Sequence, residues 1–251
     1  VEVNEGRRVV ADVITVNRVA ELRSWTHDPA AGVLRIGAGV TWAELEAEPF
    51  TEWVPALAQA ARTVGSPQIR HAGTIGGNIA TCSPAGDGLP PLAALGAVVH
   101  LASAGAERDV PFAEFMTGPK RTVRQPGELI TAVTVPLVRG FQGYAKVGVR
   151  NAMVISTASA ALVADRDGRS IRLALGSVGP TILRCPEAEA AAAAGVDWQA
   201  GAVSAAVVAE FADLARAAAR PIDDHRSTAA YRRHAVGVLA GRLLRRAFPN
   251  E

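Results

Sequence analysis

Residues 70–97 read RHAGTIGGNIATCSPAGDGLPPLAALGA, a run with six glycines, no lysine and very few charged side chains. Glycine loses more backbone entropy on folding than any other residue, so it is retained where a turn or a close approach needs it. We therefore expect this run to bring the backbone close to another part of the chain or to a ligand.

Three interpretations of the run stay open on the residues alone. The first is a structural Ω-like loop, in which the glycines supply unusual dihedral angles. The second is an anion cradle, in which consecutive amides of GTIGGN face a phosphate, Thr74 and Asn78 add donors, and Asp87 accepts from sugar hydroxyls. The third is acyl or phosphoryl transfer through Ser83 or Thr81, which is the weakest because no GxSxG or Walker motif is present.

The GG pair followed by Asn is a weak motif by itself, since glycine-rich loops are common. The run is also not a Rossmann fingerprint, because no GxGxxG opens a helix here with an acidic residue farther along the chain. The residues alone therefore do not decide between a loop and a phosphate site.

The composition is that of an ordinary globular protein. The chain has 251 residues, of which 49% are apolar and 20% charged, and its net charge is +2. This balance gives no reason to expect nucleic acid or an anionic membrane as a partner. No uncharged run approaches the length of a membrane-spanning helix, and the first residues lack a signal pattern, so we expect a cytoplasmic location.

Metal chemistry in this chain is not expected. Two cysteines, Cys82 and Cys185, cannot supply the four thiolates of an iron–sulfur cluster or a four-cysteine zinc site. We interpret both as small buried residues, and the five histidines show no metal-ligand spacing.

The first half of the chain predicts short, alternating elements. Strands are expected at 12–16 and 33–38, and a helix at 55–65 with proline in its first turn. The sequence TWAE places Thr41 and Glu44 in a capping box, which predicts a further helix start. Residues 97–112 are typical of a β-hairpin.

The second half predicts three strands followed by helices. The strands lie in GYAKVGVR (143–150), SAALVAD (159–165) and IRLALGSVG (171–179), and the helices cover 204–220 and 227–248. In the last helix one face is predicted to carry Tyr231, Ala235, Val238, Leu239 and Leu243. Strands followed by helices indicate an α+β module, with domains at 1–138 and 139–251.

The glycine run resembles the second flavin-binding segment of the FAD subunit of molybdenum hydroxylases, the family of xanthine dehydrogenase, carbon monoxide dehydrogenase and aldehyde oxidase. The stretches GELITAVTVP (127–136) and GYAKVGVR follow in the family's order and spacing. IRLALGSVGPTILRCPEAE and STAAYRRHAVGVLAGRLLRRA resemble its C-terminal domain. The resemblance implies an α+β fold: an FAD-binding domain of the PCMH type, then a smaller α+β domain with a three-stranded antiparallel sheet and helices.

The resemblance also implies roles for individual residues, carried over by position. Residues of the TIGGN motif would approach the pyrophosphate and ribityl groups of FAD, residues after it would lie along the cofactor, and Asp87 would bind the adenosine portion. Ile130 would pack against the cofactor, and Lys146 would make a cationic contact. The implied cofactor-binding residues are Thr74, Ile75, Gly76, Gly77, Asn78, Ala80, Thr81, Asp87, Ile130 and Lys146. Arg232 and Arg233 are expected to be surface or interface charges.

The first residues, VEVNEGRR, resemble the family segment that directly follows an AGGT-like flavin loop. From this we expect the sequence to lack that loop, and we expect FAD to be held more weakly as a result. No catalytic acid or base is nominated.

The family implies an electron-transfer role within a multisubunit cytoplasmic enzyme. A small subunit with [2Fe–2S] clusters and a large molybdopterin-binding subunit would be the partners, and FAD would pass electrons to a soluble acceptor such as NAD or a quinone. Two alternatives stay open: a non-catalytic interaction module that does not retain FAD, and a stand-alone flavoprotein oxidoreductase.

Overall fold

The computed structural model describes residues 12–249, which form two antiparallel sheets and the helices packed around them. The first sheet has five strands in the order β1-β2-β7-β3-β4. Its strands are β1 (Trp25–Asp28), β2 (Val33–Gly37), β3 (Val98–Ala102), β4 (Glu107–Pro111) and β7 (Leu129–Pro136). A separate two-stranded ribbon joins β5 (Met116–Gly118) and β6 (Arg121–Thr122).

Short helices surround the first sheet. They are α1 (Ala20–Arg23), α2 (Trp42–Leu45), α3 (Phe50–Trp53), α4 (Pro55–Ala61), α5 (Pro67–Ala72), α6 (Ile75–Thr81), α7 (Leu89–Leu95) and α8 (Phe112–Phe115). The predicted capping box is confirmed at α2: the Glu44 amide donates to Thr41 Oγ1 at 3.2 Å, and the Thr41 amide donates to Glu44 Oε2 at 2.8 Å.

The second sheet has the order β11-β10-β9-β8. Its strands are β8 (Gly140–Val147), β9 (Ala158–Asp165), β10 (Ser170–Gly176) and β11 (Leu183–Arg184), followed by α9 (Pro186–Gly195), α10 (Ala205–Ala218) and α11 (Ala229–Ala247). The three predicted strands correspond to β8–β10, and the two-residue β11 adds a fourth that is too short to show alternation.

The second sheet lies between two helical layers, so both of its faces are buried. Ala161 and Val163 of β9 belong to the core formed with the helices of the first half. Their neighbours Leu162 and Ala164 point to the opposite face, where they join a second core with α9–α11. Strand β9 is consequently buried along nearly its whole length.

The glycine run folds mainly as helices rather than as a structural Ω-like loop. It contains the end of α5, all of α6 and all of α7, and every residue of α7 is buried. Gly88 permits this packing, because a Cβ atom there would lie 2.1 Å from the Trp42 ring. The predicted hairpin is confirmed as the β3–β4 pair, with Val98 opposite Pro111.

The strand predicted at residues 12–16 is wrong. Residues 12–16 form no strand in the described structure; Val13 and Ile14 are strongly exposed, and apolar alternation without a pairing strand does not make a sheet. Strand β2 pairs instead with β7 and with β1, and β1 is exposed throughout and carries no alternating pattern.

The last helix differs from its predicted surface at two positions. Tyr231 is about half exposed, although Ala235, Leu239 and Leu243 lie in the core as expected. Arg232, expected at the surface, is buried because its guanidinium bonds across the fold to the Thr157 carbonyl. No helix within residues 12–249 is long and apolar enough to cross a membrane.

Candidate functional site

Helix α6, the centre of the glycine run, lies between two cavities. Cavity A measures about 290 Å³ and is lined by Val16, Asn17, Leu22, Ala38, Gly39, Thr74, Gly76, Gly77, Ala80, Arg124, Glu128, Leu129 and Ile130. Cavity B measures about 450 Å³ and is lined by Val64, Gly65, Ser66, Ile69, Asn78, Ala85, Gly86, Asp87, Met153, Val154 and Ile155. Both are concave sites of the size at which small-molecule ligands bind.

The first amides of α6 are already hydrogen-bonded within the protein. The Ile75 amide donates to Val40 O at 3.0 Å, and the Gly76 amide donates to Ala38 O at 2.9 Å. The Gly77 amide donates to Thr74 Oγ1 at 3.0 Å, which makes Thr74 the N-cap. The predicted cradle of free GTIGGN amides is therefore wrong at these three positions, because tertiary contacts and the cap satisfy the donors.

The two central glycines of α6 have different structural roles. A Cβ atom at Gly76 would lie 2.5 Å from the Ala38 Cβ, so glycine is needed for the helix to approach the end of β2. Gly77 is exposed on cavity A, and a Cβ there would meet only Thr74 Oγ1, at 3.2 Å. Gly77 and Ala80 thus leave one side of the helix smooth for a ligand.

The opposite wall of cavity A combines an apolar surface with an ionic rim. Ile130 is buried and contributes its side chain to the cavity. At the rim, Arg108 forms two hydrogen bonds with the Glu128 carboxylate, at 2.6 and 2.9 Å, and these bonds lower the pKa of Glu128 to about 2. The Arg124 guanidinium donates to the Glu128 carbonyl at 2.8 Å, so a second arginine lies at this rim.

Asn78, which lines cavity B, carries an unsatisfied acceptor. The Asn78 side-chain oxygen is buried and has no hydrogen-bond partner. Gly86 lies beside the same amide group, since a Cβ there would be 3.2 Å from Asn78 Nδ2. A buried polar atom without a partner is unfavourable, so Asn78 Oδ1 is suited to accept from an N–H or O–H group of a bound ligand.

Asp87 forms the back of cavity B and is the centre of a buried hydrogen-bond network. Its Oδ1 accepts from Tyr144 Oη at 2.9 Å and from Ser156 Oγ at 2.6 Å. Its Oδ2 accepts from Thr63 Oγ1 at 3.0 Å and from Lys146 Nζ at 2.6 Å. Four donors satisfy the carboxylate from inside the protein, and three of them come from the second half of the chain.

Lys146 is held as firmly as Asp87. Its ammonium donates to Asp87 and also to the carbonyls of Thr63 and Val154, each at 3.1 Å, which uses all three of its N–H donors. Burial and the Asp87 charge raise the pKa of Tyr144 well above its usual value, so Tyr144 stays a neutral donor to the carboxylate.

The structure gathers most of the residues predicted from sequence around α6. Cavity A receives Thr74, Gly76, Gly77, Ala80 and Ile130; cavity B receives Asn78 and Asp87, with Lys146 bonded behind it. Two residues stand apart. The Ile75 side chain is fully buried in the core, and Thr81 lines neither cavity, its hydroxyl donating to Gly77 O at 2.8 Å.

Sequence reasoning missed the part of cavity A that β2 and α1 supply. The Gly39 amide donates to the Leu22 carbonyl at 2.6 Å, and a Cβ at Gly37 would lie 2.4 Å from the same oxygen. The glycine pair of GAG (37–39), at the end of a predicted strand and before the capping box, was the available signal for this close approach.

The cysteines belong to the cores rather than to a site. Cys82 and Cys185 are free and buried, as expected, and burial raises their thiol pKa values to about 11 and about 12. Across residues 12–249, no group of three or more His, Cys, Asp or Glu side chains could hold a metal ion.

Two protein-family models match the sequence. Residues 1–138 match the FAD binding domain in molybdopterin dehydrogenase, and residues 144–247 match the CO dehydrogenase flavoprotein C-terminal domain. Together they extend over nearly the entire chain.

Curated relatives and a solved structure agree with these matches. The chain is 32% identical to the glyceraldehyde dehydrogenase medium chain of Sulfolobus acidocaldarius over 90% of its own length and 79% of the relative's. It is 32% identical to the carbon monoxide dehydrogenase medium chain of Hydrogenophaga pseudoflava, over 94% and 81%. A chain of the Cu,Mo-CO dehydrogenase in its cyanide-inactivated form superposes with a TM-score of 0.82 at 27% identity, over 93% of this chain and 81% of that one.

Proposed function

Because this chain belongs to the family of FAD-binding medium subunits of molybdenum hydroxylases, we propose that its flavin site lies along α6 and that it carries electrons through a multisubunit dehydrogenase. In this proposal [2Fe–2S] clusters of a small subunit deliver the electrons. They originate at a large molybdopterin-binding subunit and leave through a soluble acceptor such as NAD or a quinone.

The observation that supports this placement best is the arrangement on the two sides of α6. On one side an exposed glycine and an alanine face a cavity; on the other, Asn78 presents a buried oxygen without a partner. A flat ligand with both apolar rings and hydrogen-bonding groups needs such a combination of smooth and polar surfaces. The residues present therefore fit FAD, although its phosphates would not be held by the amides of residues 75–77.

Each side chain has a limited task in this proposal. Gly77 and Ala80 keep cavity A free of side chains, and Ile130 gives the ligand an apolar contact. Asn78 accepts one hydrogen bond and so orients the ligand across the helix. The Asp87–Lys146 pair keeps the wall of cavity B rigid rather than contacting the ligand through a free charge.

When bound, FAD supplies the ability to take up electrons singly and to release them in pairs, and the protein supplies position and electrostatics. These 251 residues contain two cysteines, so the four thiolates of each iron–sulfur cluster lie outside this stretch of sequence in the proposal. This cysteine count is the sequence feature that favours a separate cluster-bearing partner.

The proposal is tested by titrating the chain and two glycine variants with FAD and following the flavin visible bands and the quenching of flavin fluorescence. Gly77→Val places a branched side chain at cavity A and is expected to weaken FAD binding by about tenfold or more. Gly105→Val is the matched control, because Gly105 lies in the β3–β4 turn with open space around its Cβ position.

Equal FAD affinity in the parent and Gly77→Val, with both folded, would contradict the placement along α6. A parent that folds and binds no FAD would instead favour the interaction-module alternative. Electron transfer is tested separately. We expect the chain to co-purify with cluster-bearing and molybdopterin-bearing subunits. In that complex, we expect addition of substrate to bleach the flavin bands.

A further inference from the structure

A third cavity lies between the two halves of the chain, on the other side of the Asp87 network from cavity B. Cavity C measures about 490 Å³. Its polar lining comes from Ser83, Ser156, Ser177, Arg220, Asp224, Arg226 and Arg232, and prolines form much of the remaining wall. Ser156 separates the two cavities, since it lines cavity C while its hydroxyl donates to Asp87.

The wall of cavity C carries an excess of positive charge. The residues that line the cavity include three arginines and one carboxylate, that of Asp224. Asp224 accepts from Arg226 Nη1 at 3.0 Å and from Arg232 Nη2 at 2.7 Å. Burial opposes the ionisation of Asp224, but the Arg226 and Ser227 amides and the Arg232 guanidinium outweigh it and lower the pKa of Asp224 to about 2. The carboxylate is therefore charged at neutral pH. It balances one of the three arginines, so two guanidinium groups lack a counter-charge among the lining residues.

Two buried polar atoms have no partner, and both belong to residues that line cavity C. Arg232 is only 4% exposed; its Nη1 donates to the carbonyls of Thr157 and Ser177, at 2.7 and 2.9 Å. The Nε of the same guanidinium and the Ser177 hydroxyl are both buried without a hydrogen-bond partner. Neither atom takes part in the flavin site or in the Asp87 network.

The backbone around these atoms is held in an unusual conformation. Ser177 has a φ of 64°, in the left-handed region that non-glycine residues rarely adopt, and its carbonyl is one of the acceptors for Arg232. The Arg220 amide donates to Val178 O at 2.7 Å, which fixes the segment after α10 against the same turn. Such strain persists where the surrounding structure imposes it, and it is common at ligand sites.

We propose that cavity C binds a phosphate group of a small molecule, which is held by the arginines that line the cavity. A phosphate carries a charge of roughly −1.5 to −2 near pH 7, which matches the excess of two guanidinium groups better than a carboxylate does. Guanidinium N–H groups make strong, directional hydrogen bonds to phosphate oxygens, and a phosphate also accepts from hydroxyls such as that of Ser177. The proline walls give the rest of the molecule an apolar surface.

The proposal is tested by isothermal titration calorimetry of the full chain with inorganic phosphate and with phenyl phosphate. Saturable binding of one phosphate is expected, with Arg220→Gln and Arg226→Gln each raising the Kd by about tenfold. Arg166→Gln, at the exposed β9–β10 turn, is the matched control and is expected to leave the Kd unchanged. Arg232→Gln is informative only if it folds, so the test depends on the two less buried arginines.

The two probes distinguish the source of the phosphate. Phenyl phosphate binding at least about tenfold more tightly than inorganic phosphate would identify an ester with an apolar body that contacts the prolines. Equal affinities would identify free phosphate as the ligand. The proposal is overturned if neither probe binds saturably, if both arginine variants bind like the parent, or if benzoate binds as well as phenyl phosphate does.

Discussion

At the scale of single residues, Asp87 is the position at which the two halves of the chain are joined. It lies 59 positions before Lys146 in sequence, and their side chains are 10% or less exposed. A buried charge pair is a weak source of net stability, but removing one partner leaves the other charge without compensation. The network therefore makes both residues hard to replace singly.

Asp87→Asn is expected to lower the free energy of unfolding by about 3–5 kcal/mol, because Lys146 is then buried without a counter-charge. Combining it with Lys146→Met should cost at least about 1 kcal/mol less than the sum of the two single changes. Urea unfolding of the four proteins, at a pH where all are folded, gives the coupling energy directly.

A matched exposed pair is available as the control. Asp213 pairs with Arg216 on the surface of α10, and its side chain is 68% exposed. Asp213→Asn is expected to change the free energy of unfolding by no more than about 0.5 kcal/mol. Strictly additive effects at Asp87 and Lys146 would show that the two side chains are not energetically coupled.

At the scale of elements, α6 shows how two adjacent glycines serve different purposes. Gly76 faces Ala38 and has no room for a side chain, whereas Gly77 faces a cavity. The helix is anchored by its Thr74 cap and by the amides that bond to Ala38 and Val40. Its position between the cavities thus depends on contacts with the end of β2.

Replacing these glycines by alanine should give opposite results. Gly76→Ala is expected to lower the free energy of unfolding by about 1–3 kcal/mol, because α6 must move away from Ala38. Gly77→Ala should leave stability unchanged or raise it by up to about 1 kcal/mol, since alanine favours the helix and meets only Thr74 Oγ1. Thermal unfolding followed by circular dichroism compares the two variants; equal destabilisation would argue against the close approach of α6 to β2.

At the scale of the whole molecule, the second sheet depends on helices from both halves of the chain. Tyr144, Ala161, Val163 and Ala174 lie in the same core as α4 and α7. The opposite face of that sheet belongs to the core formed with α9–α11. The division into domains at 1–138 and 139–251 therefore stays a prediction. Whether each domain can fold without the other is a separate question.

Expressed separately, residues 1–138 and 139–251 are each expected to lack the native near-ultraviolet circular dichroism of the whole chain, because each would expose one side of this shared core. Co-expressed, the two pieces should associate and recover the signal, and the intact chain should unfold in a single transition. Two pieces that each show native spectra and separate on a sizing column would contradict this expectation.

Local features of the fold could be predicted from the sequence because they depend on residues a few positions apart. The capping box joins Thr41 and Glu44, and the β3–β4 hairpin is set by two short apolar runs and the turn between them. The family was recognisable for a different reason: several short motifs occur in a fixed order along nearly the whole chain.

Part of the candidate site could also be predicted from short sequence motifs. The glycines of α6, Asn78, Asp87 and Ile130 were named from motifs, and the structure brings them to two neighbouring cavities. Leu22 and Gly39 were missed because their contact joins segments with no local pattern in common.

Only the tertiary structure decided which hydrogen-bond partner each polar group has. The amides of α6 could be assigned to a phosphate from sequence, yet their acceptors are Val40, Ala38 and Thr74. From sequence, Arg232 is expected to be a surface or interface charge, yet it donates to the Thr157 carbonyl, 75 positions away. The sequence by itself determined the family, the cofactor class and local features such as the capping box and the β3–β4 hairpin. Partners distant in the chain meet only when the sheets and helices pack, because burial and hydrogen bonding are then settled together.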